Sequence, residues 1–196
     1  MSDFDRDSWE ERWARALREH GDGLAQRPPN ARVVAELGDL PPGRALDAGC
    51  GHGSEALWLA AGGWRVTAVD FAATALAYAR SAAEALGPDI AERVDWIEGD
   101  LGIWTPEPNA YDLVISVYVH VAGSVEEMVK RMASDVAPGG TLFLVGYPAA
   151  AGQVQVSVEA ARAALDPSRW ETIVAEERPR PNAAGGVDAV IRARRR

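Results

Sequence analysis

A glycine-rich segment is the first stretch whose residue types and spacing indicate chemistry. It reads Asp-Ala-Gly-Cys-Gly-His-Gly over residues 47–53, between a short apolar run and a helical pattern. Glycines at alternate positions permit positive φ angles and let a ligand approach the backbone. The helix that follows offers free amides and the positive end of its dipole. The segment therefore predicts a site for a phosphate or a carboxylate.

The spacing distinguishes this loop from two common nucleotide-binding loops. A G-x-G-x-x-G dinucleotide fingerprint counted from Gly49 needs a third glycine where the chain has Ser54. Counted from Gly51 the match is relaxed, and Asp47 ahead of it is unusual. A phosphate-binding P-loop needs a lysine, and Lys130 is the only lysine in the chain. A tight strand-to-helix turn without a ligand is the plain structural alternative.

Two acidic residues follow later apolar runs. Asp70 ends the second run, where a carboxylate accepts hydrogen bonds from the ribose hydroxyls of an adenosine ligand. Capping of the next helix is its structural alternative, and both roles can coexist. Asp100, in Gly99-Asp100-Leu101, follows the third run. Its carboxylate would bind the exocyclic amine of adenine, or it forms a surface turn.

A candidate general base and an aromatic wall follow the later runs. His120 comes after the fourth run, and the ordinary pKa of histidine, about 6.5, suits a general base. Its alternative is a helix-capping or sheet-edge role. Tyr118 and Tyr147, with Trp9 and Trp13 of the first helix, would form an aromatic wall around the substrate that accepts a transferred group. Their alternative is a place in the apolar core.

The elements that must position these residues alternate regularly from residue 43 onward. Short apolar runs and longer helical patterns predict an α/β fold with a parallel sheet covered by helices on both sides. The last two strands follow each other without an intervening helix, which predicts an antiparallel hairpin at one edge. Predicted strands cover residues 44–48, 64–70, 94–98, 111–119, 141–146, 170–177 and 187–194. Predicted helices cover residues 54–61, 72–86, 124–133 and 156–165, and Pro138-Gly139-Gly140 is predicted to turn.

The N-terminal region is predicted to be helical. A capping box at Ser8-Trp9-Glu10-Glu11 places the start of the first helix at Ser8, and Gly21 is its expected end. Asn30 is expected to cap a second helix. The length of 196 residues favours a single domain. We expect residues 1–40 to form a helical lid and residues 41–196 to form the core.

Composition and charge exclude several classes of function. The net charge of −9 disfavours nucleic-acid binding, which needs a basic stripe. The one basic cluster, residues 192–196, is expected to be a solvated tail. No run approaches the roughly 20 apolar residues that span a bilayer, and the acidic, polar N-terminus does not read as a signal peptide. The single cysteine, Cys50, cannot form an internal disulfide and favours the cytoplasm.

The ordered set of motifs resembles the class I S-adenosylmethionine-dependent methyltransferases. Within that family the chain looks like the small bacterial branch with tellurite-resistance-like and thiopurine-like members. The resemblance covers roughly residues 40–147, and the Trp9 to Trp13 helix supports the branch. The motifs that carry the resemblance are residues 46–53, 66–70, 98–100, 111–116 and 137–141.

The resemblance implies a Rossmann-like three-layer sandwich whose seven-stranded, mostly parallel sheet ends in an antiparallel strand. It implies S-adenosylmethionine as the cofactor. Asp47 would position the loop and the methionine amino group, Asp70 would hold the ribose, and Phe71 would pack on adenine. The remaining cofactor contacts would be Gly49, Cys50, Gly51 and Gly53 in the loop, Asp100 and Leu101 at adenine, and Ser116 and Val117 near the sulfonium, with Tyr118 beside them.

The family transfers its methyl group by in-line SN2 displacement, which needs alignment and, for some acceptors, a base. His120, Tyr118 and Tyr147 are the candidate catalytic residues. We expect a small-molecule acceptor, no metal, no membrane or nucleic-acid partner, and a monomer or homodimer. An NAD(P)-dependent oxidoreductase and a catalytically silent cofactor-binding module are the competing hypotheses.

Overall fold

The computed structural model describes residues 6–24, 27–120, 124–148, 156–180 and 186–196. The strands within these ranges are β1 (Arg44–Ala48), β2 (Arg65–Asp70), β3 (Val94–Glu98), β4 (Tyr111–Val117), β5 (Val136–Gly146), β6 (Trp170–Pro179) and β7 (Val187–Arg195). The helices are α1 (Arg6–Leu24), α2 (Ala31–Leu37), α3 (Ser54–Ala61), α4 (Ala73–Leu86), α5 (Pro88–Ala91), α6 (Val125–Asp135) and α7 (Val158–Ala164). No helix among the described residues is long and apolar enough to span a membrane.

The strands form one mixed sheet in the order β3-β2-β1-β4-β5-β7-β6. β1 and β3 each run parallel to β2, and β4 runs parallel to β5. β7 is antiparallel to both β5 and β6. The predicted fold class, a mostly parallel seven-stranded sheet with an antiparallel C-terminal strand, is confirmed.

The chain divides into two compact units, residues 1–104 and 105–196. The first contains β1 to β3 and the second β4 to β7. Each has its own apolar interior: Leu46 and Val69 are buried in the first unit, and Ile115 and Phe143 in the second. In each unit, parallel strands bring their carboxyl ends to one edge, where ligands bind in open α/β sheets.

The first helix differs from its prediction at both ends. It begins at Arg6, so Ser8 lies inside its first turns and the expected capping box does not start it. The expected end at Gly21 is a kink one residue earlier, at His20 (φ −139°), after which the helix continues to Leu24. The cap on α2 is confirmed, because the side chain of Asn30 accepts a hydrogen bond from the backbone N–H of Arg32 at 2.9 Å.

The predicted turn at residues 138–140 lies inside β5 as an irregularity. Tyr111 on β4 pairs with Val136, whereas Leu113 pairs with Thr141, so β5 carries extra residues between the two pairs. Gly139 has φ +81°, a left-handed conformation that glycine adopts without strain. The segment is therefore a bulge within a strand rather than a turn before one.

The C-terminal arginines are not the solvated tail that composition predicted. Residues 192–195 belong to β7. The Arg194 Nε donates to the carbonyl oxygen of Gly139 at 3.3 Å. Arg195 donates to Asn109 and to the carbonyl oxygen of Val136. These side chains thus satisfy two backbone carbonyls of β5 and the side-chain oxygen of Asn109 in the loop before β4.

Candidate functional site

The glycine loop after β1 has the conformation that its sequence predicts. Gly49, Gly51 and Gly53 have φ angles of +84°, +51° and +85°. The N–H groups of Gly49 and Cys50 donate to the carbonyl oxygen of Val69 at 2.8 and 3.0 Å. The loop is therefore fixed to β2 and leads directly into α3.

Asp70 joins this loop to the start of α4. Its Oδ2 accepts a hydrogen bond from the N–H of Gly51 and its Oδ1 accepts one from the N–H of Ala72, both at 2.9 Å. The residue is buried, and burial raises its pKa while these backbone bonds oppose the rise. Ala72 is the N-cap residue of α4, so the capping alternative holds in part.

The buried Asp47 and the half-buried Glu55 form an acidic cluster with Asp70. Asp47 is 2% exposed, and its Oδ2 has no hydrogen-bond partner among the described residues. Burial, then the negative charges of Glu55 and Asp70, raise the pKa of Asp47 well above its usual range. The Oε1 of Glu55 accepts from the N–H of Asn30 at 2.9 Å, and burial raises the pKa of Glu55. An unpaired buried carboxylate oxygen is costly, and a cationic group would satisfy it.

Two tryptophans lie against the glycines of the loop. A Cβ atom at Gly51 would come within 2.7 Å of Trp13 Cζ2, and one at Gly53 within 2.7 Å of Trp96 Cη2. The close approach that glycine permits is therefore used by aromatic side chains of α1 and β3. Neither position tolerates a larger residue without moving an indole ring.

His52 of the glycine loop packs against neighbouring side chains. It is half-buried, with its ring centroid 5.5 Å from that of Trp13 and its Nε2 2.7 Å from the Oγ of Ser54. Burial, with a smaller contribution from the charge of Arg27, lowers its pKa to about 4. The imidazole is consequently neutral at physiological pH.

Helix α1 spans the ends of the neighbouring strands and helices in the first unit. Arg6 Nη1 pairs with Glu98 Oε1 at 2.7 Å, at the end of β3. Glu10 accepts from the N–H groups of Ala73 (2.5 Å) and Thr74 (3.2 Å), which open α4. Polar contacts thus hold the helix at the strand ends where the glycine loop begins.

The other expected cofactor contacts of the first unit differ in exposure. Asp100 is exposed, and its Oδ1 accepts from the N–H of Gly102 at 2.8 Å, which is the surface-turn alternative. Phe71 and Leu101 are half-buried. Cys50 is buried, and burial raises the pKa of its thiol, so the side chain is not a nucleophile.

The second unit places the predicted tyrosines together. Tyr118 follows β4 and Tyr147 follows β5, and their ring centroids are 5.0 Å apart. Tyr118 has φ +56°, which is strained for a bulky residue, while its N–H donates to the carbonyl oxygen of Val145 at 2.8 Å. Ser116 is buried in β4, Val117 is half-buried at its end, and His120 is half-buried beyond it. The roles of these five residues stay predictions.

Sequence reasoning missed a charged pair beside the tyrosines. Arg180 lies with its guanidinium carbon 4.4 Å from the ring centroid of Tyr147. Its Nε pairs at 2.9 Å with Oδ1 of Asp188, a residue that is 1% exposed. The sequence did offer one signal for this pair, because Asp188 is an aspartate among the apolar residues of the last predicted strand. Glu55 and Trp96 were also missed, because neither stands out without the packing of the loop.

Comparisons with known proteins find a related domain in this chain. Residues 45–140 match the family model described as a methyltransferase domain. A ubiquinone biosynthesis O-methyltransferase of Xanthomonas campestris is 34% identical over 122 residues, which are 61% of this chain and 49% of that protein. The chain thus spans about half the length of the curated relatives that it matches.

Two solved structures share the fold. Magnesium protoporphyrin IX methyltransferase from Synechocystis, with bound S-adenosylhomocysteine, superposes with a TM-score of 0.72 and 22% identity over 99% of this chain and 97% of that one. TehB from Haemophilus influenzae superposes with a TM-score of 0.69 and 20% identity over 85% of this chain and 62% of that one. At these identities the likeness establishes the fold, and the expected branch of the family stays a prediction.

Proposed function

We propose that this chain is an S-adenosylmethionine-dependent methyltransferase of small molecules, on the premise that residues 45–140 match the family model of methyltransferase domains. The observation that carries the cofactor assignment is the acidic cluster of Asp47, Glu55 and Asp70. S-adenosylmethionine carries an ammonium group and a sulfonium, and when bound it would supply a methyl group to the acceptor with the neutral thioether S-adenosylhomocysteine as the leaving group. The unpartnered Oδ2 of Asp47 suits the ammonium, which would also favour the ionised carboxylate.

The same cluster argues against the NAD(P) alternative. A pyrophosphate placed at the loop would lie close to the buried carboxylates of Asp47 and Asp70 and to the half-buried Glu55. Like charges in a low-dielectric surrounding repel strongly, so the cluster disfavours a pyrophosphate at this position. A zwitterionic ligand avoids this conflict, because its carboxylate can take the amides at the start of α3 while its ammonium takes Asp47.

The residues of this chain would then bind and orient the cofactor and the acceptor, and they would not need to activate the methyl group. Asp70 would accept from the ribose, Phe71 would cover adenine, and Asp100 with Leu101 would contact the adenine edge. We retain the N-terminal region, residues 1–40, as a lid, supported by the contacts of α1 with Glu98 and with the start of α4. His120 would take a proton from acceptors that need to lose one.

Ligand binding tests the cofactor assignment. Titration calorimetry should give saturable binding of S-adenosylhomocysteine, and saturation at 100 times the dissociation constant should stabilise the fold by about 2.7 kcal/mol. Stabilisation by NADH but not by S-adenosylhomocysteine would overturn the proposal. Asp70→Ala should weaken binding more than about tenfold, whereas Asp95→Ala, an exposed position on β3, should leave it unchanged.

Transfer of a labelled methyl group to a panel of phenols, thiols, sugars and amines tests the activity. We expect transfer to at least one small acceptor. Cofactor binding without transfer to any panel member would favour the silent binding module. With a responsive acceptor, His120→Ala should remove the acidic limb of the pH–rate profile, and an unchanged profile would exclude His120 as the base.

A further inference from the structure

An arginine and two tyrosines meet at one edge of the second unit. Tyr118 follows β4, Tyr147 follows β5, and Arg180 follows β6, which runs parallel to β5. Asp188 lies near the start of β7, where that antiparallel strand begins at the same edge. We call Tyr118, Tyr147, Arg180 and Asp188 the arginine–tyrosine cluster.

The guanidinium of Arg180 is fixed in place. Its Nε donates to Oδ1 of Asp188 at 2.9 Å and its Nη2 donates to the carbonyl oxygen of Val187 at 3.0 Å. The backbone N–H of Arg180 donates to the carbonyl oxygen of Gly186 at 2.7 Å. Burial of Asp188 makes its charge costly without this partner, so the pair holds the guanidinium in one orientation.

The same guanidinium keeps donors for a ligand. Its Nη1 hydrogens have no protein acceptor among the residues described, and 28% of the side chain is exposed. A guanidinium presents planar, directed N–H groups that match the two oxygens of a carboxylate. A partly exposed guanidinium that two hydrogen bonds hold in place, with further N–H groups left to donate, is suited to orient an oxyanion.

The tyrosines add a planar apolar surface. Arg180 lies 4.4 Å from the Tyr147 ring centroid, within the range of a cation–π contact. The Tyr118 ring is tilted by 37° to that of Tyr147, and 39% of Tyr147 is exposed. The left-handed backbone of Tyr118 orients one of these rings, and such strain is common at ligand-binding positions.

From this geometry we propose that the arginine–tyrosine cluster binds the methyl acceptor and selects a planar aromatic compound that carries a carboxylate. The carboxylate pairs with Arg180 and the aromatic ring packs on Tyr118 and Tyr147. Asp188 is a positioning residue that acts through Arg180. This inference rests on the proposed methyltransferase function and names its substrate class.

Equilibrium binding to the full chain saturated with S-adenosylhomocysteine tests the inference. The probes are para-hydroxycinnamate, its neutral carboxamide, and cyclohexanecarboxylate, an anion without an aromatic ring. We expect para-hydroxycinnamate to bind at least about tenfold tighter than either of the others. Equal affinity for the carboxamide, or no measurable binding of para-hydroxycinnamate, would overturn the proposal.

Variants separate ligand recognition from a role in closing the β6–β7 hairpin. Arg180→Gln should reduce the preference for the carboxylate over the carboxamide to about onefold, and Arg180→Lys should restore only part of it. Asp188→Asn should lower the preference less than Arg180→Gln does. Arg178→Gln is the matched control, because Arg178 pairs with Glu176 on β6 at 2.6 Å and should keep the full preference.

The readouts distinguish the two proposals. Cofactor affinity is measured on the same samples, so a chain that fails to bind S-adenosylhomocysteine contradicts the methyltransferase proposal itself. Normal cofactor binding without a carboxylate preference contradicts only the acceptor class. Arg180→Gln with a lowered melting temperature but an intact preference would assign Arg180 to the hairpin alone.

Discussion

Asp47 keeps Oδ2 without a partner among the described residues although almost none of the side chain reaches solvent. Sequence spacing identified the residue, but it could not reveal that Glu55 and Asp70 surround it, because that depends on how the loop docks on β2. The loop was predicted to bind an anion. The structure adds that the unpaired Oδ2 of Asp47, in the same loop, favours a ligand that also carries a cationic group. A ligand with both charges distinguishes S-adenosylmethionine from a dinucleotide.

Asp47→Asn should therefore separate stability from binding. Without ligand, the variant should melt higher than the wild type near neutral pH, because a buried charge is removed. Its affinity for S-adenosylhomocysteine should fall by about tenfold or more, as calorimetry would measure. Wild-type affinity should weaken as pH falls, since the raised pKa of Asp47 favours its neutral form, whereas the variant should show a weaker dependence, because only Asp70 and Glu55, whose pKa values burial also raises, remain. Unchanged affinity in Asp47→Asn would refute the ammonium assignment.

Asp135, at the end of α6, gives a second pH effect. Burial raises its pKa from 3.8 to about 6, with the hydroxyl of Ser134 opposing the rise. The folded state holds the proton more tightly, so the destabilisation is absent below the ordinary pKa and is complete above about pH 6. Chemical denaturation of Asp135→Asn should show up to about 3 kcal/mol more stability than the wild type near pH 8 and a flatter pH profile. Asp39→Asn, at an exposed position, should retain the wild-type slope.

Among the elements, the short ones that glycine or a change of pattern delimits could be predicted best. β1, α3 and β3 have the bounds that the sequence predicts, although β3 is an edge strand and only partly buried. α1 was misjudged at both ends, since its start depends on contacts rather than on the capping box at Ser8. The bulge in β5 was read as a turn, because Pro-Gly-Gly does not indicate that the flanking residues pair with β4.

The cap that α1 provides for α4 has a measurable value. Ala72, the N-cap of α4, makes no side-chain cap, and Glu10 takes the N–H groups of Ala73 and Thr74 instead. Glu10→Ala should lower the free energy of unfolding by about 1 kcal/mol, the usual cost of losing a cap. Glu11→Ala changes the same charge at the next, exposed position of α1 and should cost much less. Equal losses would show that the contact contributes nothing.

The β5 bulge depends on its glycine. A Cβ atom at Gly140 would lie 2.9 Å from the carbonyl oxygens of Ala137 and Asp112. Gly140→Ala should destabilise the protein by about 1–3 kcal/mol in denaturant titrations. Gly23→Ala meets no atom within 4 Å and lies in α1, so it should be neutral or slightly stabilising. A neutral Gly140→Ala would mean that the bulge rearranges without cost.

At the scale of the whole molecule, the mostly parallel seven-stranded sheet and its antiparallel C-terminal strand were predictable from the alternation of apolar runs and helical patterns and from the order of the motifs, whereas the order of the strands in the sheet comes from the structure alone. The arginine–tyrosine cluster was not predictable, since Arg180 and Asp188 meet only through the antiparallel pairing of β6 with β7. Most of the proposed cofactor contacts, among them Asp47, Asp70 and Asp100, lie in the first unit, whereas the arginine–tyrosine cluster lies in the second.

Amide hydrogen exchange should show which unit each ligand protects. Addition of S-adenosylhomocysteine should slow amide exchange most in the first unit, over residues 47–53 and 70–74, whose N–H groups form the loop and the start of α4. An aromatic carboxylate acceptor should add protection around Tyr147 and Arg180. Protection by the cofactor that is confined to the second unit would contradict the assignment.

The burial of Cys50 has a practical consequence. The chain has one thiol, which belongs to the glycine loop itself, and only 4% of the residue is exposed. A chromogenic disulfide reagent can therefore react only when that loop opens. The absorbance that it releases corresponds to one thiol per molecule. The unmodified protein thus carries its own kinetic probe of loop opening, readable in a spectrophotometer without labels, mutations or a known acceptor.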